Sequence, residues 1–190
     1  MKKLLFLSLL FLSLSTFAQT EITQEQADSI YNSIPVVDSV IQYTEVVNVD
    51  ATIKKAELYS NLKSFFIHEF KSANAVIQYD EKNEGKVIGK GNFSFATAAK
   101  YFVSTYYINF TLEVQVKDGK YRYKIDNFDN NVQIGDKLLP ISIKSMHHLT
   151  THATFEDAKA GFRKALYLLT NGVQGIIYDL KKAMVKKDDF

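Results

Sequence analysis

Apolar and polar residues alternate along several stretches of the chain, and this alternation predicts an antiparallel sheet. The clearest strand covers residues 104–116, where every even position from 106 onward is apolar and most odd positions are polar. One-sided alternation is typical of a sheet with one buried and one solvated face. Further strands are predicted at residues 40–49, 75–79, 86–95 and 120–126.

Two stretches with hairpin chemistry connect these strands. The pair Asp118-Gly119 stands between two alternating runs, which is among the strongest local signals for a hairpin. Residues 80–85 end on Gly85, which can adopt the positive φ that a tight turn needs. In the next strand Gly89 and Gly91 lie on the apolar face and leave room for an aromatic ring or a close backbone.

The spacing of apolar residues predicts a helix over residues 53–71. Apolar side chains recur there at intervals of three, four and seven, which is the stripe of a helix that lies on a core. Asp50 or Thr52 is the predicted N-cap. The stripe consists of Leu58, Leu62, Phe65, Phe66 and Phe70.

Residues 131–190 are predicted to form a C-terminal helical extension that packs on the same domain. The chain is irregular after Asp126, where Asn, Asp and Gly are frequent. A helical stripe then begins after Thr154 and ends at Asn171-Gly172, since Gly commonly follows the last turn of a helix. A last helix is predicted from Val173 to Met184.

The N-terminal residues have the composition of a secretory leader followed by a polar arm. Residues 1–18 contain Lys2 and Lys3, an apolar run and small residues before a cleavage site. They predict a signal peptide and a protein that is periplasmic or extracellular. Because no Cys follows the cut, the product is not expected to be a lipoprotein. Residues 19–39 are polar, and Pro35 interrupts any helix there, so they are predicted to form a lead-in arm.

Charge and cysteine content exclude several classes of protein. Removing the leader takes away two lysines and no acids, which leaves 21 basic and 21 acidic residues. A balanced charge argues against nucleic-acid partners. Absence of Cys excludes disulfides and thiolate chemistry. After the leader, no stretch approaches the about 20 apolar residues of a membrane-spanning helix.

Three phrases of the sequence resemble a known family. They are Phe-Lys-Ser-Ala-Asn-Ala-Val-Ile-Gln-Tyr-Asp at 70–80, Gly-Lys-Val-Ile-Gly-Lys-Gly at 85–91 and Val-Lys-Asp-Gly-Lys-Tyr-Arg-Tyr at 116–123. Over about residues 41–130 the chain resembles the domain of unknown function with a TBP-like fold that occurs in exported proteins of Gram-negative bacteria. The resemblance implies an α+β domain at residues 40–130, with a helix packed across one face of an antiparallel sheet. It implies no activity and supplies no catalytic residues.

The residues give no complete catalytic or metal motif, so the sequence predicts neither an enzyme nor a cofactor. His147, His148 and His152 are the weak candidates for metal binding, and a polar loop is the simpler interpretation of their segment. The pair His68-Glu69 begins like a zinc-protease helix, but Ser72 stands where the second His belongs.

Aromatic residues supply the candidate ligand site. Phe93, Phe95, Tyr121 and Tyr123 lie on predicted sheet faces that meet the helix, where they would line any pocket left between the two layers. The sequence therefore predicts a non-catalytic binding module for an apolar small molecule, or for an envelope component on the open face of the sheet. The alternative is a structural or assembly protein that acts through its C-terminal helices, and a metal-dependent enzyme is the least favoured interpretation.

Overall fold

A six-stranded antiparallel sheet with helices on one face makes up the molecule. The computed structural model describes residues 21–70, 76–99 and 102–186, so the predicted signal peptide lies outside the described residues. The helices are α1 (Gln24–Ser33), α2 (Lys55–Glu69), α3 (Ile143–His152) and α4 (Glu156–Met184). The strands are β1 (Val36–Val37), β2 (Val40–Ile41), β3 (Tyr43–Asn48), β4 (Ile77–Glu81), β5 (Lys86–Ala99), β6 (Phe102–Lys117), β7 (Lys120–Ile134) and β8 (Lys137–Pro140).

Strand β7 has a different partner on each edge. The sheet order is β3-β7-β6-β5-β4, and β8 also pairs with β7. One edge of β7 is taken by β6, whereas the other is shared by β3, which pairs with residues 120–125, and β8, which pairs with residues 131–134. Residues 126–130 therefore lie between two partners. The short β1–β2 hairpin forms a separate sheet just ahead of β3.

Helices α2 and α4 cover one face of the sheet and bury its apolar side chains. All six apolar side chains at even positions of β6 from 106 to 116 are exposed by 2% or less. Facing them are fully buried side chains such as Leu58 and Leu62 of α2 and Leu169 and Leu180 of α4. Each such side chain contributes roughly 1.5–3 kcal/mol when it leaves water. The predicted α+β architecture, with helices across one face and polar residues on the other, is confirmed.

The two glycines of β5 provide space for aromatic rings, as the sequence predicted. A Cβ added at Gly89 would lie 2.6 Å from Cε1 of Phe66, and one at Gly91 would lie 2.3 Å from Cζ of Phe110. These distances are shorter than any real carbon contact. The rings therefore occupy the volume that a side chain at either position would need.

Helix α1 corrects the prediction of a polar lead-in arm. Thr23 and Gln26 form a capping box, in which each side chain accepts a hydrogen bond from the backbone N–H of the other. The helix begins well before Pro35, so the proline follows its end. Ala27 is completely buried, and the helix packs against α3 and α4. The arm interpretation failed because the apolar residues of this helix are few and it is held by neighbouring helices.

The C-terminal extension has two helices, as predicted, but they are divided at a different place. Residues 143–152 form α3, whereas the sequence predicted an irregular segment there. Helix α4 then continues through Asn171-Gly172, where the sequence predicted a break. Gly172 serves packing, since a Cβ there would lie 2.4 Å from Cε2 of Phe93. Thr154 does not cap α4, because the N-cap residue is Phe155 and it makes no capping side-chain hydrogen bond.

The start of α2 is capped by a residue from the β6–β7 turn and not by Asp50 or Thr52. The backbone N–H of Lys55 donates to Oδ1 of Asp118 at 2.8 Å. The same turn is fixed by a hydrogen bond from the N–H of Gly119 to the carbonyl of Ile53 at 3.0 Å. Asp50 instead accepts from the N–H of Thr52 at 2.8 Å and orders the loop before the helix.

Replacing Gly172 by Ala is expected to destabilise the protein by about 1–3 kcal/mol, because the new methyl group meets the Phe93 ring. The matched control is Gly175→Ala in the same helix, where an added Cβ meets nothing within 4 Å. That variant is expected to gain up to about 1 kcal/mol from helix propensity alone. Urea denaturation of both variants measures the difference, and equal stabilities would contradict the packing role of Gly172.

Replacing Asp118 by Ala is expected to lower the free energy of unfolding by about 1 kcal/mol, as loss of an N-capping acceptor does. Asp118→Asn keeps an acceptor oxygen and is expected to retain most of the stability. Urea denaturation with circular dichroism at 222 nm follows both variants. If Asn and Ala cost the same, the hydrogen bond to Lys55 is not what stabilises the start of α2.

Candidate functional site

The open face of the sheet carries rows of hydrogen-bonding side chains across β5, β6 and β7. Asn92 pairs with Asn109, which pairs with Asp129. In the next row Lys90 pairs with Thr111. Because side chains alternate between the two faces of a strand, these groups point away from the helices. The side-chain amides of Asn92 and Asn109 both donate and accept hydrogen bonds.

A β-bulge in β7 shapes this surface. The register between β6 and β7 shifts between Asn109 and Thr111, and Asn127 adopts a φ of 53°. Asn tolerates this left-handed conformation better than most residues, and bulges commonly lie beside functional sites. The Asn109 side chain donates to the carbonyl of Asp129 at 3.2 Å, and the Asn127 side chain donates to the Thr111 hydroxyl at 3.5 Å. The bulge therefore brings four polar residues of two strands together.

A cleft of about 990 Å³ contains this polar group, and we call it the open-face cleft. Its volume lies in the range of small-molecule sites. The cleft also reaches residues of the helix-covered side, because the end of α2 contributes Glu69 and Phe70, and Val76 precedes β4. The strands contribute Lys90, Gly91, Asn92, Asn109, Phe110, Thr111, Asn127 and Asp129.

Among the residues that line the cleft, Glu69 has a shifted pKa. Partial burial raises the pKa of its carboxyl above the ordinary value of 4.5, and the neighbouring Asp179 carboxylate adds to the increase. Both causes disfavour the ionised form. Lys90 and Asp129 supply the other two charges of the cleft, so its lining is mostly neutral.

The sequence matches a known family over the strands that form this cleft. Residues 43–131 match the model of the domain of unknown function with a TBP-like fold, DUF4468. Over these residues the chain is similar to DUF4468. The matched stretch begins with β3 and ends in β7, so it contains the polar rows, the bulge and α2. The resemblance predicted from the sequence is confirmed.

Solved structures extend the likeness beyond residues 43–131. A DUF4468 family protein from Bacteroides ovatus is 12% identical, with a TM-score of 0.60 over 86% of this chain and 98% of that one. A TBP-like protein from Parabacteroides distasonis is 11% identical, with a TM-score of 0.54 over 78% of this chain and 97% of that one. At these identities the likeness shows the fold alone. No curated protein sequence matches the chain.

The four aromatic residues predicted as a ligand site belong to two separate regions of the covered face. Phe93 pairs with Ile108, whereas Tyr121 pairs with Val116, which places them about 27 Å apart along β6 at roughly 3.4 Å per residue. Phe95 stacks on Tyr106 with ring centroids 5.1 Å apart. The structure therefore does not bring the four residues together in one pocket.

The two tyrosines of this set are part of the core. Tyr121 and Tyr123 are exposed by only 1% and 4%, and burial raises the pKa of both phenols. The Tyr123 hydroxyl donates to Glu45 at 2.8 Å, and Glu45 also pairs with Lys181 of α4 at 2.7 Å. These contacts tie β3, β7 and α4 together. A role for the aromatic residues in ligand binding stays a prediction.

The three clustered histidines lie on a helix, which corrects the prediction of a polar loop. His148 and His152 stack one turn apart on α3, with ring centroids 4.0 Å apart. His147 points elsewhere, stacks on Tyr31 and contacts Asp28 at 2.7 Å. Within residues 21–70, 76–99 and 102–186, no three His, Asp or Glu side chains are arranged to hold a metal ion.

The sequence did not predict the polar residues of the open-face cleft as a site, because the residues around them are typical of a loop. Residues 127–135 are rich in Asn, Asp and Gly, which are turn formers, yet β7 continues through residue 134. Pairing with β6 on one edge and β8 on the other overrides this local preference. The alternation of β6 already placed Asn109 and Thr111 on the open face, and this was the available signal.

The pKa of Glu69 is expected to lie above 4.5 in the folded protein, as measured by carboxyl carbon chemical shifts against pH. Asp179→Asn is expected to lower the midpoint only in part, because burial remains the larger cause. Asp157→Asn, in the first turn of the same helix, is expected to leave it unchanged. The folded state binds the Glu69 proton more tightly than the unfolded state does. The free energy of unfolding is therefore expected to fall as the pH rises from the unfolded pKa of Glu69 through its folded pKa. If the titration midpoint of Glu69 is the same in Asp179→Asn, Asp179 does not contribute to the raised pKa.

Proposed function

We propose that the protein is an exported, non-catalytic binding module of the bacterial envelope, and that the open-face cleft binds its ligand. The observation that carries the proposal is the meeting of Asn92, Asn109, Thr111, Asn127 and Asp129 in one cleft of about 990 Å³. Polar side chains gathered in a concave surface fix and orient ligands. The non-catalytic part of the proposal rests on the sequence, which carries no complete catalytic motif.

The proposed ligand is rich in hydroxyl groups, such as a glycan of the cell envelope. A hydroxyl both donates and accepts, as does a side-chain amide, so the two form paired hydrogen bonds. The mostly neutral lining matches an uncharged ligand better than a nucleotide or a polyanion. Tyr107, on the same face beside Asn109, is 39% exposed and presents an aromatic surface on which a sugar ring can stack.

The open face supports this proposal better than the covered face supports an apolar ligand. Aromatic and aliphatic side chains fill the covered face from both layers, and Phe93 occupies the space beside Gly172. The assembly alternative required apolar rows on the C-terminal helices to be free for a partner. Leu166, Leu169, Val173 and Leu180 are instead completely buried against the sheet.

Export remains part of the proposal on the strength of the sequence. The segment at residues 1–18 has the organisation of a signal peptide, and a chain without Cys needs no oxidative folding. Among the described helices, none is long and apolar enough to cross a membrane.

Titration of residues 19–190 with soluble envelope oligosaccharides, followed by amide NMR, tests the function. Saturable shifts are expected in β5, β6 and β7 around the bulge. The double variant Asn92→Ala with Asn109→Ala is expected to weaken binding at least about 10-fold, since each lost hydrogen bond contributes about 0.5–1.5 kcal/mol.

The control for this titration is Gln115→Ala, which alters the same face of β6 two rows beyond Thr111 and outside the cleft lining. It is expected to bind like the unaltered protein. Shifts confined to Phe93, Phe95, Tyr121 and Tyr123 would replace this proposal with the aromatic site. Binding that survives loss of both asparagines would also contradict it.

A further inference from the structure

The side of α4 that faces away from the sheet lacks charged residues over almost four turns. Residues 165–178 contain no Lys, Arg, Asp or Glu, although the solvated face of a helix usually carries them. The exposed residues of this stretch form a surface that we call the α4 outer face. It consists of Tyr167, Asn171, Gln174, Gly175 and Tyr178. This surface is separate from the buried apolar rows of the same helix.

The two tyrosines of the α4 outer face are presented to solvent. Tyr178 is 66% exposed and Tyr167 is 37% exposed. Within the described part of the chain, neither side chain has a hydrogen bond or a ring contact. Protein interfaces are depleted in charged residues and enriched in Tyr. The composition of this face is therefore that of an interface.

Gly175 has no packing role within the chain. A Cβ added there would meet nothing within 4 Å, in contrast with Gly172 three residues earlier. Glycine destabilises a helix relative to Ala, and no contact inside the molecule explains it at this position. A glycine on an exposed helix face allows a group from outside to approach the backbone closely.

The residues of this face are arranged symmetrically about Asn171. Tyr167 and Gly175 lie four residues before and after it, and Lys164 and Tyr178 lie seven residues before and after it. At 1.5 Å per residue these positions are about 6 Å and about 10 Å from Asn171 along the helix axis. If two antiparallel copies of α4 meet at Asn171, Tyr167 of each copy lies opposite Gly175 of the other. A two-fold interface needs this self-complementarity, because both partners use the same patch.

The charges at the two ends of the face are also complementary in this arrangement. Lys164 precedes the uncharged stretch and Asp179 follows it, and neither has an ion-pair partner among the described residues. Burial and the Asp179 charge together raise the pKa of Glu69, so a cation is favourable beside these two carboxyl groups. In the antiparallel pair, Lys164 of each copy lies next to Tyr178 and Asp179 of the other. Its ammonium group then meets a carboxylate and the face of an aromatic ring.

We infer that the α4 outer face is the interface of a homodimer, in which two copies of α4 pair antiparallel about Asn171. The Asn171 amides of the two copies donate and accept hydrogen bonds across the two-fold axis, and each Tyr167 ring covers Gly175 of the other copy. A single pair of helices buries less than the roughly 800 Å² per partner of a standard interface, so the dimer is expected to dissociate in the micromolar range. The inference is independent of the proposed function, because it concerns the outer surface of the helices and not the open-face cleft.

Sedimentation equilibrium of residues 19–190, from low micromolar to submillimolar concentration, tests the inference. The average mass is expected to rise from that of a monomer towards that of a dimer. Amide NMR over the same range is expected to show shifts at residues 164–179 and none in β5, β6 and β7. A monomer at every concentration would overturn the inference, as would a dimer whose shifts lie outside α4.

Gly175→Gln is the variant that separates dimerisation from folding. The space beside Gly175 is open in the monomer, so the protein is expected to stay folded. The dissociation constant of the dimer is expected to rise at least 10-fold, because the new side chain occupies the place of Tyr167 of the second copy. Ser29→Gln adds a similar side chain at an exposed position of α1 and is expected to leave the dimer unchanged. If both variants dimerise equally well, Gly175 is not in the interface and the inference is wrong.

An exchange of charges tests the antiparallel register. Lys164→Glu and Asp179→Lys are each expected to weaken the dimer several-fold, because each places like charges opposite one another. The double variant restores opposite charges across the interface and is expected to recover the original dissociation constant. If the double variant is weaker than either single variant, the pairing about Asn171 is wrong. A protein that stays monomeric and binds phosphatidylethanolamine–phosphatidylglycerol vesicles through Tyr167 and Tyr178 would instead assign the face to a membrane surface.

Discussion

The close approach of the helices to β5 is the constraint on which the rest of the molecule depends. Gly89 and Gly91 of the strand and Gly172 of α4 have aromatic rings where their side chains would be. The rings of Phe66, Phe70, Phe93 and Phe110 can therefore interlock between the layers. Without disulfides, this dense aromatic layer and the aliphatic side chains of β6 hold the sheet and the helices together. Because the described helices cover one side of the sheet, its opposite face is left mainly to polar residues.

One face of the sheet is packed against helices and the other is solvated, and this difference explains where ligand sites can form. Side chains on the covered face are fixed by packing, and a change of size there costs stability. Side chains on the open face are held by the strand backbones, by ion pairs such as Lys86 with Glu113, and by local hydrogen bonds such as that from Asn109 to Asp129. The bulge at Asn127 then interrupts the regular face at one place, and the open-face cleft borders it. A rigid frame with a local irregularity is a common way to position binding groups.

The sequence predicted those parts of the fold that are encoded by local periodicity. The alternation in β6 and the apolar stripe of α2 each specify one buried face, and the glycines of β5 signalled a close aromatic contact. Helix α1 was not predicted, because few of its residues are apolar. The unbroken α4 was not predicted, because Gly172 has the same appearance in a sequence whether it ends a helix or leaves room for an aromatic ring. The open-face cleft was missed for a related reason. Asn127 and Asp129 favour turns, and only pairing with neighbouring strands keeps them in β7.

The cap on α2 has a consequence for the order of folding. Its acceptor, Asp118, lies 63 residues beyond the Lys55 amide that it binds. A chain that emerges from its N-terminus first therefore contains the whole of α2 before the group that completes its first turn exists. Closing that first turn has to wait for the β6–β7 hairpin, and long-range closure of this kind slows folding relative to local contacts. A helix that looks local in sequence is in this respect as non-local as the sheet it covers.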